Sequence, residues 1–238
     1  MYLSLILPCY NEGNKLKDNI PRITRFLDAN LKKDYEIIIV NDGSTDDTKK
    51  YIQEILNDFK CVKVISYKKN RGKGHAVNLG LNAATGTYSI FMDTDLSTDL
   101  IAITDSLKYL ENNFDCVIGS RKVKGSIMPI KRSFTRNMFS FINSTLVNIL
   151  FNLKIKDTQC GFKAFKTDVL KKFILKKQKI NKFAFDIEYL YIMRLKNISI
   201  KEIPVIWIDD FDSRVSPLSS VVFFFDMLKI RTNKTYYK

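Results

Sequence analysis

Tyr88-Ser89-Ile90-Phe91-Met92-Asp93-Thr94-Asp95 is a largely apolar run that ends, without a spacer, on two carboxylates. A run of that length reads as a buried strand, and the same unit recurs upstream. Tyr2 to Pro8 leads into Asn11-Glu12-Gly13. Glu36 to Val40 leads into Asn41-Asp42-Gly43-Ser44, and Val62 to Ser66 precedes the Gly-bearing loop Asn70 to Gly74. Helical stretches lie between them: one to about Leu31, one from Asp46 to about Phe59 with Ser44 or Thr45 as its cap, and one around Ala76 to Ala84. Short strands alternating with helices predict an α/β fold of parallel β-α-β units with right-handed crossovers. Ligands of such sheets sit beyond the carboxyl ends of the strands. The turns after Pro8, Val40 and Met92 are therefore the expected site.

Downstream the pattern changes. A helix from about Asp99 to Asn112 leads to a strand at Cys116 to Gly119 and then to a basic stretch, Arg121 to Arg136. In the mostly uncharged segment from Asn137 to Leu153, Met138, Phe141, Ile142, Leu146, Ile149, Leu150 and Leu153 recur at helical spacing. Ser216 to Ile230 is apolar nearly all round. Neither segment reads as a membrane span, because the first carries several Asn, Ser and Thr and the second is short and carries Asp226. Two readings fit both: helices packed in the core, or helices lying in a membrane interface beside basic residues that meet lipid phosphates.

A chain of 238 residues suits one domain with at most a small appendage, and buries a core without staples. Cys9, Cys61, Cys116 and Cys160 are scattered and there is a single histidine, which excludes a zinc site and fits a reducing compartment. The net charge of +14 admits phosphorylated substrates, an anionic membrane or nucleic acid, or a lysine-rich composition without a target. Nucleic acid would need exposed aromatics interleaved with the basic residues. The aromatics sit mainly in apolar runs, so nucleic acid is not an expected partner. Met1 runs into a strand-like segment with no basic n-region, so no signal peptide is expected and the chain is placed in the cytoplasm.

At period two, Asp93 and Asp95 leave an extended backbone on the same side. Two carboxylates that close resist joint ionisation unless a cation sits between them. A hard divalent ion, Mg²⁺ or Mn²⁺, held by one or two carboxylates plus substrate phosphate oxygens, fits the pair. Asp42 is either a turn residue or a ligand-binding group that accepts a hydrogen bond from a base or ribose. The loop Asn70-Arg71-Gly72-Lys73-Gly74 is placed to bring backbone amides and a cation to a diphosphate, although it lacks the P-loop spacing. His75 reads as structural.

The sequence resembles the family-2 inverting glycosyltransferases, and within them the dolichyl- or polyprenyl-phosphate glucosyltransferases. The matching pieces are Leu7-Pro8-Cys9-Tyr10-Asn11-Glu12, Val40-Asn41-Asp42-Gly43-Ser44, Gly72-Lys73-Gly74, Asp93-Thr94-Asp95, Gly119-Ser120-Arg121, Asp157-Thr158-Gln159-Cys160-Gly161-Phe162-Lys163, Phe183-Ala184-Phe185-Asp186-Ile187-Glu188 and Ser213-Arg214-Val215-Ser216-Pro217. The resemblance implies a GT-A, Rossmann-like fold: a mixed, mainly parallel central sheet flanked by helices, with C-terminal amphipathic or interface helices. It divides the chain into a catalytic domain, 1–215, with a donor half (1–98) and an acceptor half (99–215), and an apolar helix with a basic tail, 216–238.

It also implies roles. Pro8, Tyr10, Asn11, Glu12, Asp42, Lys73, Gly74, Asp93, Thr94 and Asp95 would bind the nucleotide sugar, with Asp93 and Asp95 holding the metal. Arg121, Arg132, Arg136, Ser213 and Arg214 would bind the acceptor phosphate, the arginines counting with the two aspartates as catalytic. The implied reaction moves a hexose, glucose from UDP-glucose, to a polyprenyl or dolichyl monophosphate with inversion. A hydroxyl acceptor and GDP-mannose as donor are the alternatives. A phosphomonoester is already an anion and needs no general base, whereas a hydroxyl acceptor needs a carboxylate from Asp157, Asp186 or Glu188. With a lipid phosphate those three would instead orient sugar hydroxyls or arginines. Two departures stand out: Asn41 where the family commonly has a second acid, and no N-terminal membrane helix of the eukaryotic kind. The implied attachment is peripheral, on the cytoplasmic face of a membrane.

Overall fold

In the computed structural model, backbone is described for residues 1–129, 134–208 and 217–237, and side chains for the same residues except 134–142 and 217–220. β1 (Leu3–Cys9) is buried along its whole length, as a central parallel strand must be when helices cover both faces. It is followed by α1 (Gly13–Asn30), β2 (Tyr35–Asp42), α2 (Thr48–Asp58), β3 (Val62–Tyr67), α3 (Lys73–Ala83) and β4 (Tyr88–Met92). Then come α4 (Ile101–Glu111), β5 (Cys116–Ser120), α5 (Phe134–Phe151), β6 (Phe162–Lys166), α6 (Thr167–Phe173), a 3-10 turn (Leu175–Lys177), α7 (Phe185–Leu195), β7 (Ile200–Pro204), α8 (Pro217–Thr232) and α9 (Lys234–Tyr237).

The strands form one sheet in the order β3-β2-β1-β4-β6-β5-β7. β1 to β4 are mutually parallel, β5 and β7 are parallel, and β6 alone runs against its neighbours β4 and β5. This is the mixed, mainly parallel sheet the sequence led us to expect. Leu16, Ile20, Ile23 and Leu27 of α1 recur at helical spacing and pack with α2 and α4 on one face. Each such side chain, fully buried, stabilises the fold by about 1.5–3 kcal/mol. α3, α6, α7 and α8 cover the other face. At the amino edge, Glu36 ties the strands together. Its carboxylate accepts from Ser4 Oγ (2.6 Å), Lys63 Nζ (2.7 Å), Thr85 N (2.8 Å) and Thr85 Oγ1 (2.7 Å).

Several local expectations change. α2 starts at Thr48, and neither Ser44 nor Thr45 caps it; Asp46 Oδ1 accepts from Thr48 N at 3.0 Å instead. α3 begins at Lys73 with Gly72 as its N-cap, so the last two residues of the glycine loop already belong to the first helical turn. In the described part of α5 the buried residues are Val147 and Phe151, whereas Ile149 is 74% exposed and does not belong to the buried stripe. α8 is embedded on one side through Phe223, Met227 and Ile230, while Val221, Phe224, Phe225 and Leu228 are exposed on the other. Among the described residues no helix is long and apolar enough to cross a membrane.

Candidate active site

The parallel strands β1, β2 and β4 deliver their carboxyl ends to one edge of the sheet. β6 runs the other way, so its first residue, Phe162, lies opposite Met92, the last residue of β4. That reversal sets Gly161 against Asp93. A Cβ built on Gly161 would stand 2.0 Å from Asp93 Oδ2. Only a glycine admits the carboxylate there.

Thr94, between the two aspartates, is held from both sides. Its hydroxyl donates to Glu12 Oε2, and its carbonyl accepts from Asn19 Nδ2 at 2.8 Å. Asp95 Oδ1 accepts from Ser97 N at 2.8 Å across Leu96, whose φ of 53° is rare for a bulky residue. Strain of this kind is characteristic of functional turns. From β1, Asn11 (φ 55°) accepts from Thr45 N at 2.8 Å and donates its own amide to Ser44 Oγ at 2.9 Å. The turns after β1 and β2 are thus one unit. Tyr10 is exposed beside it, and Pro8 is buried within β1.

Asp42 is 3% exposed and accepts from Arg71 N (2.7 Å) and Gly72 N (2.9 Å). It therefore builds the glycine loop, and those two amides are engaged by protein rather than held open for a diphosphate. Gly74 is also a packing residue: a Cβ there would stand 2.7 Å from Phe185 Cβ and 2.9 Å from Ile180 O. What the loop does bring to the site is a cation. Lys73 Nζ forms an ion pair with Asp93 Oδ1. His75 contacts Arg71 and the Tyr67 ring, a structural role as expected.

Beneath the aspartates lies a further charged pair. Lys163 of β6 is fully buried; its Nζ is 2.7 Å from Asp186 Oδ1 of α7 and donates to Cys160 O at 2.9 Å. Burial alone would lower the Lys73 ammonium, but Asp93, Asp186 and Asp95 together raise it, so it stays charged. Burial, and then the neighbouring Asp93, raise the Asp95 carboxyl above its usual range. Burial likewise raises Glu12, which Thr94 partly offsets. Two adjacent carboxylates that resist joint ionisation are the donor set a hard divalent cation satisfies. No cluster of three or more metal-ligating side chains occurs among the described residues. The residues fit an ion that completes its shell from a bound phosphate.

On the other side of β6, Arg121 follows β5. It meets Asp157 through Nε (2.7 Å), NH2 (2.8 Å) and its own amide (3.0 Å). Burial pushes the Asp157 carboxyl up, and the guanidinium more than offsets that, leaving it below the usual range. The same guanidinium lies 4.7 Å from the Trp207 ring centroid. Trp207 bridges to Thr98, and Ile208 N donates to Ser97 O at 2.9 Å, so the segment after β7 joins the aspartate turn to the arginine. Gly161, Lys163 and Trp207 were missing from the residues expected at the site. Glu188 is fully buried and accepts from Lys179 N, Ile180 N and the Tyr237 hydroxyl, which removes it as a candidate base. Arg132, Ser213 and Arg214 lie outside the described residues, and Arg136 lies in α5 with its side chain outside them.

Residues 4–174 match the family model "Glycosyl transferase family 2". A dolichyl-phosphate beta-glucosyltransferase of Dictyostelium discoideum is 36% identical over 233 residues, covering 93% of this chain and 71% of that protein. The enzymes of that name from Saccharomyces cerevisiae and Homo sapiens are each 33% identical, over 87% and 92% of this chain and 67% and 71% of theirs. Among solved structures, a Mycobacterium tuberculosis glucosyl-3-phosphoglycerate synthase in complex with UDP matches with a TM-score of 0.70 at 17% identity, over 97% of this chain and 80% of that one. A Pyrobaculum calidifontis mannosyltransferase in complex with GDP-Man and Mn²⁺ matches with a TM-score of 0.62 at 17% identity, over 99% and 64%. At such identities these two speak for the GT-A fold alone. The sequence matches, which run through the aspartate turn, the glycine loop and the reversed strand, decide the rest: the chain belongs to glycosyl transferase family 2 and is a glycosyltransferase.

Proposed function

We propose that this enzyme transfers glucose from UDP-glucose to dolichyl or another polyprenyl monophosphate, with inversion, using Mg²⁺ or Mn²⁺. The observation that carries the acceptor class is the state of the three carboxylates that could have served a hydroxyl as base. Asp157 is locked to Arg121, Asp186 to Lys163, and Glu188 to backbone amides and Tyr237. Each of the three is already held by a protein partner, Asp186 with its carboxyl raised by burial. A phosphate acceptor is already an anion at neutral pH and needs no base, so catalysis reduces to aligning two anions and neutralising the departing one.

In this reading Asp93 and Asp95 hold the ion, which when bound supplies positive charge to the leaving diphosphate. Lys73 adds a second cation on the donor side. Glu12, Asn11 and Thr94 fix the turn on which the aspartates sit, Asp42 shapes the floor of the nucleotide pocket, and Tyr10 lies at its exposed rim. Arg121, oriented by Asp157 and Trp207, faces the acceptor, and Arg132, Arg136, Ser213 and Arg214 are assigned to the same phosphate by the family resemblance. Residues 1–215 make the catalytic domain, its first 98 residues serving the donor. Residues 216–238 attach it to the cytoplasmic face of a membrane. The exposed Val221, Phe224, Phe225 and Leu228, with Lys229 and Arg231 in the last turn of α8, support that attachment.

A donor panel tests this. UDP-glucose and GDP-mannose are each offered with dolichyl phosphate in anionic vesicles, with Mn²⁺, Mg²⁺ or EDTA. Label should enter the lipid from UDP-glucose only, and only with metal. The double variant Phe224→Ser/Phe225→Ser should lose vesicle binding and lipid transfer together. Transfer from GDP-mannose would overturn the donor assignment, and full activity in EDTA the metal.

A further inference from the structure

Lys73 occupies one of Asp93's two oxygens, and the protein backbone closes in on the other. Its ammonium sits on Oδ1, while Oδ2 backs onto Gly161 so closely that even a Cβ would stand 2.0 Å away. The Asp93 side chain keeps 27% of its surface exposed, so a cation can reach it, but only beside the ammonium already on Oδ1. Gly161 is fixed between the buried Cys160 and Phe162. Lys73 is the movable part, a compact charge on a flexible four-carbon stem.

Three carboxylates, Asp93, Asp95 and Asp186, share this region with two ammonium groups, Lys73 and Lys163. Asp186 lies within the electrostatic reach of Lys73 as well as being paired with Lys163 at 2.7 Å. It anchors Lys73 near the pair without requiring it to stay on Asp93. A divalent ion arriving alone would have to push an ammonium off Asp93 and then remain beside it, like charge against like. An ion arriving with a diphosphate brings anionic oxygens that Lys73 can take in exchange.

We infer that Lys73 is a displaceable guard of the Asp93/Asp95 pair, which disfavours a bare divalent ion and yields to one that arrives with the donor's diphosphate. Metal and nucleotide then bind as one unit. The inference rests on the reading that Asp93 and Asp95 hold the metal. Lys73 is in this respect a positioning residue, and its effect is read in binding rather than in turnover.

The test is Mn²⁺ binding followed by the EPR signal of the free ion, with and without UDP. The proteins are the wild type, Lys73→Met, Lys73→Gln and Asp95→Asn, each first shown to be folded by a thermal transition. Lys73→Gln keeps a hydrogen-bond donor toward Asp93 should the methionine variant not fold. The wild type should bind Mn²⁺ on the order of tenfold or more tightly with UDP than without, a typical coupling between sites. In the Lys73 variants Mn²⁺ alone should bind more tightly than in the wild type, and the gain from UDP should shrink. A folded Lys73 variant that keeps the wild-type dependence on UDP overturns the inference, as does tight binding of Mn²⁺ alone to the wild type. If instead Asp95→Asn leaves Mn²⁺ binding with UDP intact, it is the underlying metal assignment that fails.

Discussion

Gly161 concentrates the logic of the site in one missing side chain. A methyl group there would meet Asp93 Oδ2 at 2.0 Å, and the group able to give way is the carboxylate itself. Gly161→Ala should therefore move Asp93 while sparing the fold. Transfer should fall by about a hundredfold, the usual consequence of an ångström-scale misplacement, with unfolding free energy changed by no more than about 2 kcal/mol. Initial rates and a urea titration check both halves. Arg121 shows the opposite case. Asp157 is only 2% exposed beneath it, and stripping the cation from a buried pair costs about 3–5 kcal/mol. Arg121→Ala should therefore lose stability as well as transfer. Adding Asp157→Ala should restore most of the stability, by the same urea measurement, and none of the transfer. Recovery of transfer in the double variant would remove Arg121 from the acceptor site.

At the scale of elements, β1, β2 and β4 could be read directly, because each is a largely apolar run ending in polar turn residues. β6 and β7 could not. Lys163 is the second residue of Phe162–Lys166, where a charge ordinarily marks a surface, and it is buried because it pairs with Asp186 of α7. β7, Ile200–Pro204, is an edge strand whose half-buried Glu202 accepts from Lys156 N and Asp157 N. The same gap hid the role of Gly161: its block was visible in the sequence, but its contact with Asp93 exists only because β6 runs antiparallel to β4. The amino edge of the sheet makes its own prediction through Glu36. Burial would raise its carboxyl from 4.5, yet hydrogen bonds from Lys63, Ser4 and Thr85 bring it down to about 2. A depressed carboxyl contributes stability above its unfolded pKa and loses it as pH falls through the folded one. A shift of that size corresponds to roughly 3 kcal/mol at neutral pH. Glu36→Gln should be less stable than the wild type at pH 7, and urea midpoints should converge as pH falls from about 5 toward 2. A difference that stays constant with pH would contradict this role for the carboxylate.

For the whole molecule, the reversed strand β6 is the dividing line. On one side, parallel β-α-β units deliver Glu12, Asp42, Lys73 and the two aspartates to a single edge. On the other, β5 and the segment after β7 present Arg121 and Trp207. That Asp157, Asp186 and Glu188 are each already engaged by protein is the central claim about mechanism, since it ties the acceptor's chemistry to the fold. The most direct test supplies UDP-glucose and metal with dolichyl phosphate in one reaction and dolichol in the other, and determines the anomeric configuration of the product. Glucose should appear on the phosphate as a β-linked phosphodiester, with no transfer to the free alcohol. Transfer to dolichol, or an α-linked product, would contradict the account.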